Sequence, residues 1–408
     1  MLLLIEVILL LAALMIAIPI IVLFIECIAA CLSPKSPAAQ IGAKRPEKIA
    51  VLIPAHNEVA GISTTLKTVL PQLKSQDHLV VVADNCTDQT AQISRQTATQ
   101  YNPELNVTVL ERQNLQQQGK GYALDYGLKF LAADPPEIVI LVDADCIVHS
   151  EAIEQLAQIA KQTNRPIQAT YLQQQPANPS PQDLVSRLAI LVKNLVRQQG
   201  LARLGLPSLL YGTGMAFPWS VINQVSLASG NIVEDMQLGI DLALAGSPAL
   251  FYSGAKVTST LPQQGQAAKS QRTRWEHGHL QTLLTQVPRL LKAAIVQRRF
   301  DLLALALELG VPPLSLLVML WGVITTVTVL TGLLGLAWNP SIILLVVGFL
   351  MISAIIISWA KFGRDSIPAS TLVKIPLYLL WKIPLYLAFV IKPQKKWVRT
   401  ERRTIEVS

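Results

Sequence analysis

In Ile138-Val-Ile-Leu-Val-Asp-Ala-Asp145, five apolar residues lead directly to two carboxylates. An apolar run of that length is typical of a buried strand. Asp143 and Asp145 are two positions apart, so an extended backbone directs both side chains to the same side. Two carboxylates, completed by substrate phosphates, commonly hold Mg²⁺ or Mn²⁺. A solvated acidic turn that caps the helix near Glu151 is the alternative interpretation.

Similar apolar runs recur along the central part of the chain and alternate with helical stretches. The predicted strands are 49–53, 79–83, 107–110, 138–142 and 167–171, and the predicted helices between them are 62–73, 91–101, 123–131 and 152–161. This alternation indicates an α/β domain with a mostly parallel sheet. Because ligands bind beyond the carboxyl ends of such strands, functional residues are expected in the loops 54–58, 84–88 and 143–145.

The composition indicates a membrane protein with a sizeable soluble domain. Of the 408 residues, 51% are hydrophobic and only 15% are charged, which is too apolar for an ordinary soluble protein. Residues 1–31 form an apolar run longer than the roughly 20 residues that a spanning helix needs, and they lack the basic start of a cleaved signal peptide. Lys35, Lys44, Arg45 and Lys48 follow this run, with no basic residue before it. The positive-inside rule therefore predicts a multi-pass protein of the plasma (inner) membrane, with the N-terminus outside and the domain 46–285 in the cytoplasm.

A second apolar block fills the C-terminal part of the chain. After an interface segment at 286–310, the turn Asn339-Pro340 divides the apolar residues of 311–361 and predicts a transmembrane hairpin. Residues 368–408 contain a near-repeat of Lys-Ile-Pro-Leu-Tyr-Leu followed by a basic tail, and we predict an amphipathic segment in the membrane interface. A fourth span is the alternative, and it would place the basic tail outside, against the positive-inside rule.

Several polar side chains in the central domain have both a functional and a structural interpretation. Glu58 is a candidate binding residue or only a favourable charge near the start of the next helix. Asp235 is a candidate base, but it also opens the predicted helix 236–245. Arg274 and Trp275 are suited to a phosphate and a sugar face, or to anchoring the chain at a membrane interface.

Two glycine-containing loops are further candidates for contact with a phosphorylated sugar. Gly119-Lys120-Gly121 resembles a phosphate-binding turn without the full P-loop pattern, so Lys120 either reaches a sugar nucleotide or lies in an exposed turn. Gly212 and Thr213 combine close backbone approach with a hydroxyl, which suits a sugar, although such glycines often mark only a bulge. His277 and His279 are expected to be solvated loop histidines.

The order of these motifs resembles that of family 2 glycosyltransferases. The resemblance rests on Pro54-Ala-His-Asn-Glu58, Asp84 at a strand end, Asp143-Ala-Asp145, Glu234-Asp235 and Gln271-x-x-Arg274-Trp275. It covers residues 48–284, and the membrane segments also fit membrane-anchored members such as cellulose, hyaluronan and chitin synthases. Five motifs in order, the last with the spacing Gln-x-x-Arg-Trp, make a specific signal.

The resemblance implies a GT-A fold, a nucleotide-activated donor that is usually a UDP-sugar, and inversion at the anomeric carbon. Asp145 matches the principal metal ligand, Asp143 lies near the ribose and the metal, and Asp235 matches the general base. The ion is expected to be Mg²⁺ or Mn²⁺. The other positions implied or suggested for the donor are Glu58, Asp84, Lys120, Gln271 and Arg274, and those for the acceptor are Glu234, Trp275, Gly212 and Thr213.

The sequence therefore predicts a membrane-bound inverting β-glycosyltransferase with a polysaccharide or lipid-linked acceptor. The alternatives are a polyprenyl-phosphate sugar transferase and a non-catalytic scaffold that responds to a sugar nucleotide. Membrane lipids are expected partners and nucleic acid is not, because much of the net charge of +8 flanks the membrane segments. Three spans would make a narrow export path, so an additional export subunit is a candidate partner. No gating loop recognisable from the cellulose synthases follows Trp275, and processivity is left open.

Overall fold

The computed structural model describes residues 2–32, 44–174, 179–228, 233–260 and 265–391, of which 260 and 265–270 are described by their backbone alone. Lys35 and the basic tail from Lys392 onward lie outside the described residues. The described chain forms two compact units. The sheet unit comprises the described residues of 34–176 and 207–278, and the helical unit comprises those of 1–33, 177–206 and 279–393.

An eight-stranded sheet occupies the sheet unit. Its strands are β1 Ile49–Ala55, β2 His78–Asp84, β3 Asn106–Arg112, β4 Ile138–Leu141, β5 Cys146–Val148, β6 Ile167–Gln174, β7 Met215–Pro218 and β8 Leu250–Thr260. They lie side by side in the order β3-β2-β1-β4-β7-β6-β8-β5. β3, β2, β1 and β4 are mutually parallel, as are β6 and β8, whereas β7 and β5 run antiparallel to their neighbours. The five strands predicted from the sequence are all present, with their ends shifted by a few residues.

Both units contain helices. They are α1 Leu2–Cys31, α2 Ile62–Val69, α3 Thr90–Tyr101, α4 Lys120–Leu131, α5 Ala152–Thr163, α6 Pro181–Leu191, α7 Gln198–Leu204, α8 Trp219–Ile222, α9 Glu234–Leu244, α10 Gly265–Gln297, α11 Phe300–Leu309, α12 Leu314–Leu333, α13 Asn339–Ser358, α14 Ser370–Val373 and α15 Ile375–Ile391. A wider helical turn, 192–197, joins α6 to α7, and another extends α13 to Gly363.

The sheet is covered by helices on both faces, which explains the continuous apolar runs of its central strands. In β1, Ile49, Val51 and Ile53 face a core shared with α2 and α5. Ala50 and Leu52 face a second core shared with α4 and α9. Each fully buried leucine or isoleucine contributes about 1.5–3 kcal/mol.

The parallel register brings the predicted loops to one edge of the sheet. Leu52 of β1 is opposite both Val80 of β2 and Leu141 of β4. β1, β2 and β4 consequently end at the same level, and the loops 54–58, 84–88 and 143–145 follow there. The strand register thus brings the candidate residues of these loops to one edge of the sheet.

Within the described part of the chain, three helices are long and apolar enough to cross a membrane: α1, α12 and the extended helix Asn339–Gly363. The shorter apolar helix α15 contains both copies of the near-repeat, and its interior holds Pro384. Tyr378 from the first copy pairs with Ser186 of α6, with 2.9 Å between the hydroxyl oxygens. Tyr386 from the second copy pairs with Ser315 of α12 at 2.6 Å. The repeat therefore docks α15 within the helical unit at two points.

A buried charge cluster joins three segments of the helical unit. The Arg197 Nε donates to a carboxylate oxygen of Glu26 in α1 at 2.6 Å. The same guanidinium also donates to the carboxylate of Glu308 in α11. All three side chains are buried, and the cluster contains two carboxylates for one guanidinium. Arg197 is therefore the group that makes burial of both carboxylates tolerable.

Candidate active site

A cleft of about 590 Å³ opens at the sheet edge where β1, β2 and β4 end. Most of the candidate residues line it, namely Glu58, Asp84, Lys120, Asp143, Asp145, Gln271, Arg274 and Trp275. Residues far apart in sequence, from the first strand to α10, therefore surround one cavity within the sheet unit. A volume of that size accommodates a small organic ligand.

Two asparagines with left-handed backbone fix the loops at one end of the cleft. Asn57 has φ 53° and Asn85 has φ 51°, a region that asparagine adopts more readily than most residues. The side-chain oxygen Oδ1 of Asn57 accepts from the backbone amide of Thr87 at 2.7 Å. Oδ1 of Asn85 accepts from the backbone amide of Asn114, also at 2.7 Å. The loops after β1, β2 and β3 are thus tied together by side chains.

Asp84 and Glu58 occupy this end of the cleft in different ways. Asp84 is buried and receives a hydrogen bond from Arg112 at 2.5 Å. The two residues are register partners at the ends of β2 and β3, a relationship that the sequence analysis missed. Glu58 lies four residues before α2, whose first turn contains no acidic residue. The residue lines the cleft, as the binding interpretation expects.

The two carboxylates after β4 fit a divalent cation. Oxygen atoms of Asp143 and Asp145 and the sulfur of Cys146 lie within 4.8 Å of one another. Burial, reinforced by the neighbouring Asp145 and Asp143, raises the pKa of the Cys146 thiol well above its ordinary value. The thiol is therefore neutral and the charged donors are carboxylates, a set that suits Mg²⁺ or Mn²⁺ better than a thiophilic metal.

Lys120 lies among acidic side chains, at the first residue of α4. Its ammonium is 2.5 Å from Asp143 Oδ1, 3.6 Å from Glu234 Oε1 and 2.6 Å from the Gly212 carbonyl oxygen. Burial alone would lower the pKa of Lys120, but the nearby carboxylates raise it above its ordinary value. The lysine is therefore a permanent cation, and the simple exposed turn is the wrong interpretation of this loop.

Glu234 and Asp235 form the first turn of α9, so the helix begins two residues earlier than predicted. Asp235 Oδ1 accepts from the Met236 amide at 2.9 Å, so the carboxylate satisfies one amide of the first turn, although the N-cap residue Val233 provides no side-chain cap. Burial raises the pKa of Glu234 to about 7, with Asp235 adding to the rise and Lys120 opposing it. Burial also raises the pKa of Asp143. The carboxyl groups around Lys120 outnumber its single positive charge, and a divalent cation would offset the excess negative charge.

The loop before β7 closes this part of the site from behind. Gly212 has φ 90°, and a Cβ at this position would lie 3.1 Å from Asp235 Oδ2 and 3.3 Å from Lys120 Nζ. The Thr213 hydroxyl accepts from the Asp143 amide at 3.1 Å. Gln168, which the sequence analysis also missed, is fully buried beneath the loop. It accepts from the Tyr211 amide at 2.8 Å and donates to the Thr213 carbonyl at 3.0 Å.

The Gln271 to Trp275 motif lies on α10 and presents Gln271, Arg274 and Trp275 to the cleft. The helix continues through the two following histidines, contrary to the prediction of a solvated loop. His277 and His279 are both buried. The many polar residues of this segment hide the helical period in the sequence, and that is why the prediction was wrong.

Comparison with known proteins connects this geometry with sugar transfer. A family model described as glycosyltransferase like family 2 matches residues 46–278. A probable glycosyltransferase of Bacillus subtilis, YdaM, is 25% identical over 261 residues, which is 62% of this chain. The chain spans 60% of the length of that relative.

Solved structures give the fold. The mannosyltransferase PcManGT from Pyrobaculum calidifontis, in complex with GDP-Man and Mn²⁺, has 17% identity and a TM-score of 0.53, covering 88% of this chain and 99% of that one. Glucosyl-3-phosphoglycerate synthase from Mycobacterium tuberculosis, in complex with Mn²⁺, UDP and phosphoglyceric acid, has 22% identity and a TM-score of 0.37, covering 59% of this chain and 80% of that one. The predicted GT-A type α/β fold is confirmed.

Proposed function

The chain belongs to the glycosyltransferase-like family 2, and from that premise we propose that it is a membrane-integrated, inverting β-glycosyltransferase. The donor is a nucleotide sugar, with UDP as the expected nucleotide, and the acceptor is a polysaccharide or lipid-linked hydroxyl at the cytoplasmic membrane face. One observation carries the proposal. Four of the five sequence motifs line a single cleft, and Lys120 connects it to the fifth motif, because its ammonium contacts both the Asp143 and the Glu234 carboxylates.

The donor occupies the cleft from the nucleoside end to the carboxylates. Asp84 and Glu58 bind the nucleoside, in the loops that Asn57 and Asn85 hold in place. Lys120 and Arg274 contact the diphosphate, for which cationic groups that are already in position need no rearrangement. Gln271 lies beside Arg274 along the same wall.

Asp143 and Asp145 would hold the divalent cation, Mg²⁺ or Mn²⁺. When bound, such an ion neutralises charge on a departing diphosphate. The observed donor set fits this role, because the charged groups are two carboxylates and the adjacent thiol is neutral. Mn²⁺ in the complex of the mannosyltransferase from Pyrobaculum calidifontis supports a divalent cation.

Asp235 is the general base. Its carboxylate takes the proton of the acceptor hydroxyl as that oxygen attacks the anomeric carbon, and the bond to the diphosphate oxygen breaks on the opposite side. Glu234 and Trp275 border the acceptor, and the buried loop with Gly212 and Thr213 supports this side of the site from behind. Lys120 remains protonated throughout, so it stabilises the negative charge that accumulates on the leaving diphosphate.

The membrane arrangement follows from the three candidate spans and the charges next to them. In this arrangement α1 crosses the membrane from the outside to the cytoplasm. α12 and α13 form a transmembrane hairpin that starts and ends in the cytoplasm, and α15 lies in the membrane interface without crossing it. The basic residues Lys44, Arg45 and Lys48 after α1 favour a cytoplasmic sheet unit.

The test is turnover of a panel of nucleotide sugars by the purified full chain with Mg²⁺ or Mn²⁺, measured by nucleotide release and product mass. Asp145→Ala is expected to abolish metal-dependent nucleotide binding. Asp235→Asn is expected to keep binding and to lower turnover by about a hundredfold or more. Asp134→Asn, at an exposed aspartate paired with Lys48, is the matched control and leaves both unchanged.

Each outcome separates one part of the proposal from another. Absence of turnover and of nucleotide binding with either metal contradicts the transferase proposal as a whole. Equal loss of binding in Asp145→Ala and Asp235→Asn contradicts the separate roles of metal ligand and base. If Asp235→Asn retains turnover, the acceptor is a lipid phosphate and not a hydroxyl, because a phosphate needs no deprotonation.

A further inference from the structure

A large aliphatic side chain is exposed at the nucleoside end of the cleft. Leu115, in the loop between β3 and α4, is 74% exposed and lines the cleft together with Asp84, Asn85 and Gln118. A single exposed leucine needs no explanation by itself. This one lines a cleft with polar neighbours, where a ligand would remove it from water.

The backbone that carries Leu115 is fixed by hydrogen bonds within the protein. The Asn114 side-chain oxygen accepts from the amides of Gln116 at 3.0 Å and Gln117 at 3.1 Å. The Asn114 amide donates to Asn85, and Arg112 donates to the Gln117 carbonyl at 2.9 Å. The loop is thereby tied to the same Asp84-Asn85 segment that forms the opposite side of the nucleoside end.

We propose that Leu115 packs against the face of the donor's nucleobase and that Asn114 holds it in that position. This inference rests on the proposed function. A nucleobase has a flat apolar face and polar edges. Leu115 covers the face, while the neighbouring Asp84-Asn85 segment, which also lines the cleft, lies at the polar edge. The loop is thus a specificity element for a nucleoside rather than for the diphosphate or the sugar.

The experiment compares two ligands of the full chain in detergent, UDP and inorganic pyrophosphate, by isothermal titration calorimetry with Mg²⁺. Leu115→Ala is expected to weaken UDP binding about tenfold, because removal of about two buried methylene equivalents costs that much. Pyrophosphate has no base, so its affinity is expected to stay the same. Leu115→Met restores UDP binding, and Leu284→Ala, at a leucine 62% exposed, is the matched control.

Two results would overturn the inference. UDP affinity unchanged in Leu115→Ala shows that the base does not touch Leu115. Equal weakening of UDP and pyrophosphate shows a general disturbance of the cleft rather than a base contact. If the wild type binds GDP in place of UDP, the same comparison is made with GDP. If the wild type binds neither nucleotide, the proposed donor site itself is refuted. That result is distinguishable from failure of the Leu115 inference, in which the wild type binds UDP and Leu115→Ala binds it equally well.

The positioning role of Asn114 is tested by a double-mutant cycle. Asn114→Ala alone is expected to weaken UDP binding and to leave pyrophosphate binding intact. Combined with Leu115→Ala, it is expected to add little, because the contact that it positions is already gone. Losses that multiply in the double variant would show that Asn114 does not act through Leu115.

Discussion

Glu234 shows at the level of one residue how a catalytic site can reduce stability. Its carboxyl is largely buried between Lys120 and Asp235, and burial is the larger influence, so its pKa is raised to about 7. In an unfolded chain the same group ionises near its ordinary value of 4.5. Between these two pH values the folded chain holds a proton that the unfolded chain has released. The folded state therefore loses stability as pH rises through this window.

We expect Glu234→Gln to unfold at a higher temperature than the wild type at pH 8, by a few degrees, which corresponds to about 1–3 kcal/mol. At pH 4 both states of the wild type carry the proton, so the difference should disappear. Thermal unfolding of the full chain in a chelating buffer at the two pH values measures this. Glu104→Gln, at an exposed position, serves as the control. A Glu234→Gln advantage that is the same at both pH values would contradict the proposed origin.

Residues of the site differ in how well the sequence predicts them. Asp143 and Asp145 follow a buried strand directly, so local pattern was enough to place them at the sheet edge. Arg112 and Gln168 were missed because their importance comes from partners that are distant in the sequence. Arg112 meets Asp84 through strand register, and Gln168 supports the loop 211–214 from the neighbouring strand. A single sequence does not contain that register.

At the level of elements, the cluster of Arg197 with Glu26 and Glu308 makes a strong prediction. Replacing Arg197 by methionine leaves two buried carboxylates without their cation. We expect a loss of about 3–5 kcal/mol in the free energy of unfolding, visible as a large drop in melting temperature in detergent. Arg364→Met, at an arginine whose side chain is 71% exposed, is the control and should change little. Equal melting temperatures for both variants would refute the central role of Arg197.

The elements themselves were predictable where burial on both faces left a simple pattern. β1, β2 and β4 are parallel, central and continuously apolar, and the sequence predicted each. β5 and β7 are only three and four residues long, which gives too little pattern to detect. The 33-residue α10 was missed because a helix with so many polar residues has no clear apolar stripe.

At the level of the whole molecule, the expected topology can be read from two exposed positions. We expect a cysteine at Leu334, in the turn between α12 and α13, to react with an impermeant maleimide in right-side-out vesicles. A cysteine at Lys129, in the sheet unit, should react only in inverted vesicles. Both side chains are well exposed, at 81% and 75%.

The labelling is done in a chain in which Cys31 and Cys86 are replaced by serine, since Cys27 and Cys146 are buried. Reaction of both introduced cysteines from the same side would contradict the predicted hairpin. If Leu334→Cys reacts only in inverted vesicles and Lys129→Cys only in right-side-out vesicles, the orientation is the opposite of the predicted one.

The order of the two units along the chain has a consequence for biosynthesis. β6 ends at Gln174, but its sheet partners β7 and β8 are made only after the α6 and α7 segment of the helical unit. At a translation rate of about 5–20 residues per second, roughly ten seconds pass between the synthesis of β6 and that of β8, its second neighbour in the sheet. Until then its backbone is an open edge that can pair with another nascent chain. Slow or crowded synthesis should therefore harm this protein more than an uninterrupted domain of the same fold.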